Sequence, residues 1–214
     1  MQTDNKIFSK VFVFSPFQEN TYLLYNDKNK AVVIDPGMQN PAEERVFSKY
    51  LKDNNLELEK VLLTHAHIDH VFGLNYVVER YDVPVVLHKD SIQVLNSVPE
   101  YAGGYGFEFY VGDYNYQTVE GNDIIDLGIE VLHIPGHVPG HLVFYNRQQA
   151  EAWVGDVLFY MSIGRTDLPG GNHPLLISGI KEKLFELPDD VTIHSGHGQT
   201  TSIGFEKRNN PFLV

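Results

Sequence analysis

Three histidines and one carboxylate fall within six residues in His65-Ala66-His67-Ile68-Asp69-His70, directly after the apolar run Val61-Leu62-Leu63. Neutral imidazole and carboxylate are the donors that zinc and the neighbouring first-row metals accept. A strand ending at Leu63 delivers His65 and His67 into a turn, where residues two apart can reach one ion. Asp69 and His70 are adjacent, point differently, and could serve a second ion beside the first. Four ligands so placed do not close one tetrahedron comfortably, which argues for two metals. A polar loop with core-satisfied histidines is the plainer reading of any one of these residues, and the grouping outweighs it.

Three later stretches carry the same donor types, each just after an apolar run. They are Ile134-Pro135-Gly136-His137, Val154-Gly155-Asp156 and Ile193-His194-Ser195-Gly196-His197-Gly198. Strand-end ligands backed by small residues suit a rigid, preorganised site. His65, His67 and His137 could hold one ion and Asp69, His70 and His197 the other, with the two oxygens of Asp156 shared between them. The charge of two divalent ions exceeds that of two carboxylates and a bridging hydroxide by one. Such a site polarises a carbonyl and activates water near neutral pH. Of the other histidines (His88, His133, His141, His173 and His194), His133 and His141 have the better claim to supporting roles, because they flank His137. Asp35 is expected to bond backbone N–H groups in the turn Asp35-Pro36-Gly37, with a distant metal-ligand role as the rival.

The elements that must position these residues follow from the apolar pattern. Val11–Phe14, Thr21–Tyr25 and Ala31–Ile34 read as an antiparallel meander. Pro41–Asn54 reads as a helix with Val46, Phe47, Tyr50 and Leu51 on its inner face. Val61–Leu63 is a short strand, and one helix starts at Asp69 or His70 with Val71, Leu74, Val77 and Val78 on one face. A strand over Pro84–His88 and a helix near Asp90–Asn96 follow. From Val98 to Gln117 no helical period fits, and seven aromatic residues crowd a stretch broken by Gly103, Gly104 and Gly106. That stretch reads either as an aromatic loop over a pocket or as a packed irregular crossover. Strands return at Asp123–Asp126, Ile129–Ile134, Leu142–Tyr145, Ala152–Val154 and Val191–His194, with helices over Leu175–Leu187 and Ser202–Asn209. The two halves are roughly similar, and two packed sheets with outer helices accommodate them.

Composition bounds the rest. At 214 residues a single domain is expected. A net charge of -12 without any Lys/Arg run disfavours a nucleic-acid partner. The absence of cysteine excludes disulfides, a thiol nucleophile and thiolate ligands. Met1–Lys6 lacks the apolar core of a signal peptide, and no stretch approaches a membrane span, so a cytoplasmic protein with no membrane partner is the expectation.

The order His-x-His-x-Asp-His, then His137, Asp156 and His197, resembles the metallo-β-lactamase superfamily, with every metal position filled by the expected residue type. Asp156–Phe159, Ser162–Gly171 with its Gly164-Arg165-Thr166-Asp167 core, Ser195–Gly198 and the ending Thr201–Phe212 resemble the short bacterial type of glyoxalase II. The resemblance implies an α/β (α+β) fold, a four-layer αββα sandwich, as one domain over residues 1–214 without the C-terminal helical glutathione-binding domain of longer relatives. It implies hydrolysis of a small-molecule thioester such as S-D-lactoylglutathione to a hydroxy acid and thiol, through a metal-bound hydroxide. The cofactors implied are two divalent ions, zinc foremost, with iron and manganese accepting the same donors. Asp69 would ligate one ion and orient the hydroxide, and Arg165 could hold a substrate carboxylate by two parallel bonds, its plainer role being an ion pair or loop anchor. Val138 departs from the Thr common in the short type, and the aromatic stretch 101–116 matches no family pattern.

Two other activities of the superfamily draw on the same ligands. An iron-dependent persulfide dioxygenase would use His65, His137 and Asp156 around a single iron and shares the run 164–167, but it leaves His197 unexplained. Lactone hydrolysis fits the same metal site. β-Lactam hydrolysis is disfavoured, since β-lactamases usually carry another residue at the His70 position or a cysteine ligand. A non-catalytic metal-binding module is the reading from a different class, and the intact ligand set counts against it.

Overall fold

The computed structural model describes residues 6–214, so the reading of Met1–Asn5 lies outside the described residues. Residues up to Leu87 together with Ile92–Thr118 form one compact unit, and His88–Ser91 with Val119–Val214 form another.

The first unit is built on a six-stranded sheet of β1 (Ile7–Phe14), β2 (Glu19–Asn26), β3 (Lys30–Ile34), β4 (Glu57–Leu62), β5 (Val85–Leu87) and β6 (Tyr116–Thr118), in that spatial order. The first three strands run antiparallel, as their short polar turns predict, and β3 through β6 pair parallel. Parallel pairs need long crossovers. These are α1 (Pro41–Asp53), the short helices α2 (Ile68–Val71) and α3 (Leu74–Tyr81), and α4 (Lys89–Ala102), of which Ile92 onward belongs to this unit. Parallel strands are covered on both faces, which explains why β4 and β5 end in buried runs rather than alternating ones.

Local sequence explains helix α1 well. The Asn40 side chain accepts from the Ala42 and Glu43 N–H groups at 3.0 and 3.2 Å, Pro41 occupies the first turn, and Glu43 reaches back to the Gln39 N–H at 2.7 Å. Phe47 and Leu51 are buried as expected, but Val46 is 54% exposed, because the inner face of this helix is narrower than an apolar count suggests.

Two further expectations are corrected. The single helix expected from Asp69 is two helices broken at Phe72–Gly73. Gly73 donates its N–H to the Pro36 carbonyl at 2.8 Å, and a Cβ there would lie 1.9 Å from the Met38 sulfur, so the chain must break to approach that closely. The stretch from Val98 is helical as far as Ala102, and α4 runs through Pro99. Leu95, Val98 and Ala102 are buried at three- and four-residue spacing, a period masked in the sequence by Pro99 and Tyr101.

The second unit carries a six-stranded sheet ordered β14 (Thr201–Ser202), β13 (Thr192–Ser195), β10 (Glu151–Gly155), β9 (Leu142–Asn146), β8 (Ile129–His133) and β7 (Ile124–Ile125). Only β10 and β13 pair parallel. A small hairpin of β11 (Leu158–Phe159) and β12 (Ser162–Ile163) follows β10. Helix α5 (His173–Gly179) is shorter than the expected Leu175–Leu187 because the chain widens into a π turn over Ile180–Leu184. Helix α6 (Ile203–Asn209) is capped by the Ser202 hydroxyl.

Each unit has its own apolar core. The first gathers Phe47, Leu63, Val71, Leu74 and Leu95, and the second gathers Ile134, Val154, Leu176, Ile180 and Ile193. Among the described residues no helix is long and apolar enough to cross a membrane.

Candidate metal centre

In the first unit the donors follow β4. His65 stands three residues beyond Leu62, His67 is the residue before α2, and Asp69 and His70 lie within that helix. The His65 ring centroid is 4.8 Å from that of His67 and 4.1 Å from that of His70, and His70 Nε2 is 3.8 Å from Asp69 Oδ2. The four predicted donors of this half are therefore gathered in one place.

The carboxylate behind them is Asp35. It accepts the Thr64 N–H at 2.7 Å, the Thr64 hydroxyl, and His70 Nδ1 at 3.0 Å. Its expected bonds within its own turn are replaced by bonds to a segment 29 residues on. The Thr64 hydroxyl has one proton, which it gives to Asp35, so towards His65 Nδ1 at 3.0 Å it can only accept. Both His65 and His70 are thus protonated on Nδ1, and both present an Nε2 lone pair. One buried carboxylate sets two tautomers. Burial pushes the Asp35 carboxyl above its ordinary range, opposed by His70 and then Thr64.

A second buried carboxylate, Glu19, lies alongside. Its Oε2 accepts from the Thr21 hydroxyl at 2.7 Å, and Oε1 is 4.0 Å from His70 Nδ1. Burial raises the Glu19 carboxyl well above its ordinary range; His70 opposes this, and the charges of Asp35 and Asp69 add to it. Glu19 and Thr64 escape a reading based on donor clusters. The available signal was three consecutive polar residues, Glu19-Asn20-Thr21, opening a strand that is otherwise apolar.

In the second unit the donors again follow strands. Asp156 comes directly after β10, His137 follows β8 and His197 follows β13. Asp156 Oδ2 is 3.7 Å from His137 Nε2 and 3.7 Å from His197 Nε2. These separations are too long for hydrogen bonds. They approach the roughly 3.3 Å between donors that share a tetrahedral ion at bond lengths of about 2.0–2.1 Å. His137 Nδ1 donates to the Arg165 carbonyl at 2.7 Å, which again leaves Nε2 as the available donor atom. Among the flanking histidines, His141 supports the site, its Nε2 accepting the Asp156 N–H at 3.1 Å. His133 instead stacks on His88 at 4.1 Å. Gly164 permits the close approach of β12 to this centre: a Cβ there would be 1.9 Å from the Asp156 carbonyl oxygen and 3.2 Å from His137 Nδ1.

Every donor in both units is an imidazole nitrogen or a carboxylate oxygen, a set that fits divalent first-row ions. The sequence matches the metallo-beta-lactamase superfamily over residues 14–197. The chain belongs to the metallo-β-lactamase superfamily.

Relatives within the superfamily are similar along nearly the whole chain. Hydroxyacylglutathione hydrolase GloC of Haemophilus influenzae is 37% identical over 95% of this chain and 97% of its own. The crystal structure of the BLEG-1 B3 metallo-beta-lactamase matches with a TM-score of 0.87 at 36% identity, covering 97% of this chain and 100% of that one. A di-iron-bound form of TTHA1623 matches with a TM-score of 0.86 at 36% identity, covering 96% and 100%. The expected fold class, mixed α/β of the metallo-β-lactamase type, is therefore borne out.

In this member of the superfamily Arg165 contributes through its backbone, which holds His137. Its guanidinium pairs with Asp167 through two parallel bonds of 2.7 and 2.8 Å. That pairing, first of all, lowers the Asp167 carboxyl to about 2.

Proposed function

We propose that this superfamily member is a binuclear metal-dependent hydrolase that cleaves a thioester such as S-D-lactoylglutathione to a hydroxy acid and a thiol. In this reading His65, His67 and His137 would hold one ion and Asp69, His70 and His197 the other, with Asp156 contributing to both. The observation that carries the reading is Asp156 Oδ2, equally distant, at 3.7 Å, from His137 Nε2 and His197 Nε2. A single-iron centre using His65, His137 and Asp156 has no task for His197. The likeness to GloC over almost the full length of both chains supports a thioester, and the di-iron relative supports two ions while leaving zinc and iron both in play.

Two divalent ions bound there would supply Lewis acidity for the thioester carbonyl and for an attacking water. The remaining work falls to the protein. Asp35 and Thr64 keep Nδ1 of His65 and His70 protonated, and the Arg165 carbonyl does the same for His137, so three ligand nitrogens are aimed before anything binds. Asp69 orients the nucleophile from its place at the start of α2. Arg165 exchanges Asp167 for a substrate carboxylate, keeping its two-bond geometry.

Elemental analysis of purified protein, paired with assays of S-D-lactoylglutathione, tests the proposal. Two ions per chain and thioester turnover that disappears in Asp156→Ala are expected. One iron per chain with oxygen uptake on glutathione persulfide would overturn it, as would an Asp156→Ala protein with full metal content and activity. The likeness to BLEG-1 favours a second reading, β-lactam hydrolysis, which the ligand pattern alone disfavours, so a β-lactam belongs in the same assay.

A further inference from the structure

The aromatic stretch after α4 divides in the structure. Tyr114 is buried and bonds Asn75 at 2.6 Å, and Tyr116 opens β6, so this end is packed crossover. The other end does something different. Phe107 meets Phe72 at 4.8 Å between ring centroids, and Phe17 meets Phe72, Phe107 and Tyr105 at 6.0, 5.8 and 6.2 Å. Four rings from three separate segments thus form one continuous aromatic shelf at the surface. Phe17 is 37% exposed and Tyr105 54% exposed.

Three features indicate that the shelf is built to be used. Phe17 is held at the tip of a pinned turn: Gln18 donates to the Ser15 carbonyl at 3.1 Å, Ser15 donates to Glu43 at 3.0 Å, and both Ser15 and Gln18 have positive φ. A large, partly exposed apolar ring is thereby held at the surface by a turn that carries two residues in the left-handed region. Phe72 is the residue that ends α2, three positions after Asp69, so the shelf begins at the helix that carries two of the proposed ligands. Tyr101, whose ring meets Tyr105 at 6.2 Å, continues the aromatic row from that end. Beside Tyr105, a Cβ on Gly103 or Gly104 would meet nothing within 4 Å, so that side of the shelf is open.

We propose that the shelf of Phe17, Phe72, Tyr105 and Phe107 binds an aromatic group of the substrate, making this hydrolase selective for aryl-bearing thioesters over the small, polar lactoyl ester. The proposal rests on the thioesterase reading and deepens it. Offset and edge-on ring contacts favour an aryl group over an alkyl group of equal area. The selective group could stand on the acyl or on the thiol side, and the substrates below separate the two.

The metal-loaded wild type and the Phe17→Ala/Tyr105→Ala variant are compared on S-D-lactoylglutathione, S-D-mandeloylglutathione and the thiophenyl ester of D-lactate. Calorimetric binding of S-benzylglutathione, a thioether that cannot be hydrolysed, is measured alongside. The wild type should favour one aryl ester, by kcat/KM, over lactoylglutathione. In the variant that ratio and the affinity for S-benzylglutathione should each fall on the order of tenfold, with metal content and melting temperature retained. Equal loss on all three esters, or no aryl preference in the wild type, overturns the shelf. A wild-type dimer that the variant converts to monomer without a change in preference also overturns it, because the shelf then covers a second copy. If no thioester is turned over but S-benzylglutathione binding still falls tenfold, the shelf stands and the thioesterase reading fails.

Discussion

Asp35 Oδ2 lies 3.0 Å from His70 Nδ1, and the same carboxylate reaches His65 through the Thr64 hydroxyl. Both residues are buried. In Asp35→Asn one oxygen remains, and an amide in place of Oδ2 faces the Thr64 hydroxyl and His70 Nδ1, both of which donate to the carboxylate, so the His70 tautomer is no longer fixed. The variant should keep its fold and lose about 10–100-fold in metal affinity. Competition against a chromophoric chelator measures this, and an unchanged affinity would remove Asp35 from the orienting role.

Gly164 lets the β12 segment lie against Asp156 and His137. Because a Cβ would fall 1.9 Å from a carbonyl oxygen, Gly164→Ala must displace the Asp156 backbone rather than a flexible side chain. Metal content should drop along with stability. A Gly164→Ala protein that retains its full complement of metal by elemental analysis would show that the Asp156 backbone can shift freely.

Phe47 anchors α1 against the first sheet, with an edge-on contact to Phe12 at 5.7 Å. Phe47→Ala should cost about 3–5 kcal/mol, whereas Asn40→Ala, which removes only the helix cap, should cost about 1 kcal/mol. Urea unfolding of the two variants separates them, and equal midpoints would contradict the packing argument.

His194 stacks on Trp153 at 5.3 Å, and burial lowers its pKa from 6.5 to about 4. Between those values the unfolded chain takes up a proton that the folded chain refuses. Stability should therefore decline as pH falls from about 6.5 towards 4 and level off below, the loss amounting to a few kcal/mol. His133, lowered to about 4 chiefly by burial and then by His88, acts with the same sign. Chelator-treated wild type and His194→Gln, unfolded in urea across this range, should differ in slope, with the variant flatter. Parallel curves would refute the assignment.

The meander β1–β3, helix α1 and the strands that precede the proposed ligands are legible in the chain because each depends on local rules: alternation, capping and turn residues. The same rules misjudge α4, where Pro99 breaks the visible period although Leu95, Val98 and Ala102 are still buried. They also join α2 to α3, since nothing local announces that Gly73 must pass beneath Met38. His133 and His141 looked equivalent as flanking residues, yet only His141 faces Asp156.

By itself, the sequence determined the chemistry on offer: imidazoles and carboxylates without thiols, placed just beyond apolar strands. Donor identity is a property of single side chains and survives in the one-dimensional record. Tertiary structure alone decided which nitrogen of His65, His70 and His137 is available, which carboxylate lies behind the donors, and which aromatic residues of the stretch 101–116 reach the surface. Those outcomes depend on hydrogen bonds and ring contacts between residues far apart in the chain, 35 positions in the case of Asp35 and His70, where no local pattern can register them.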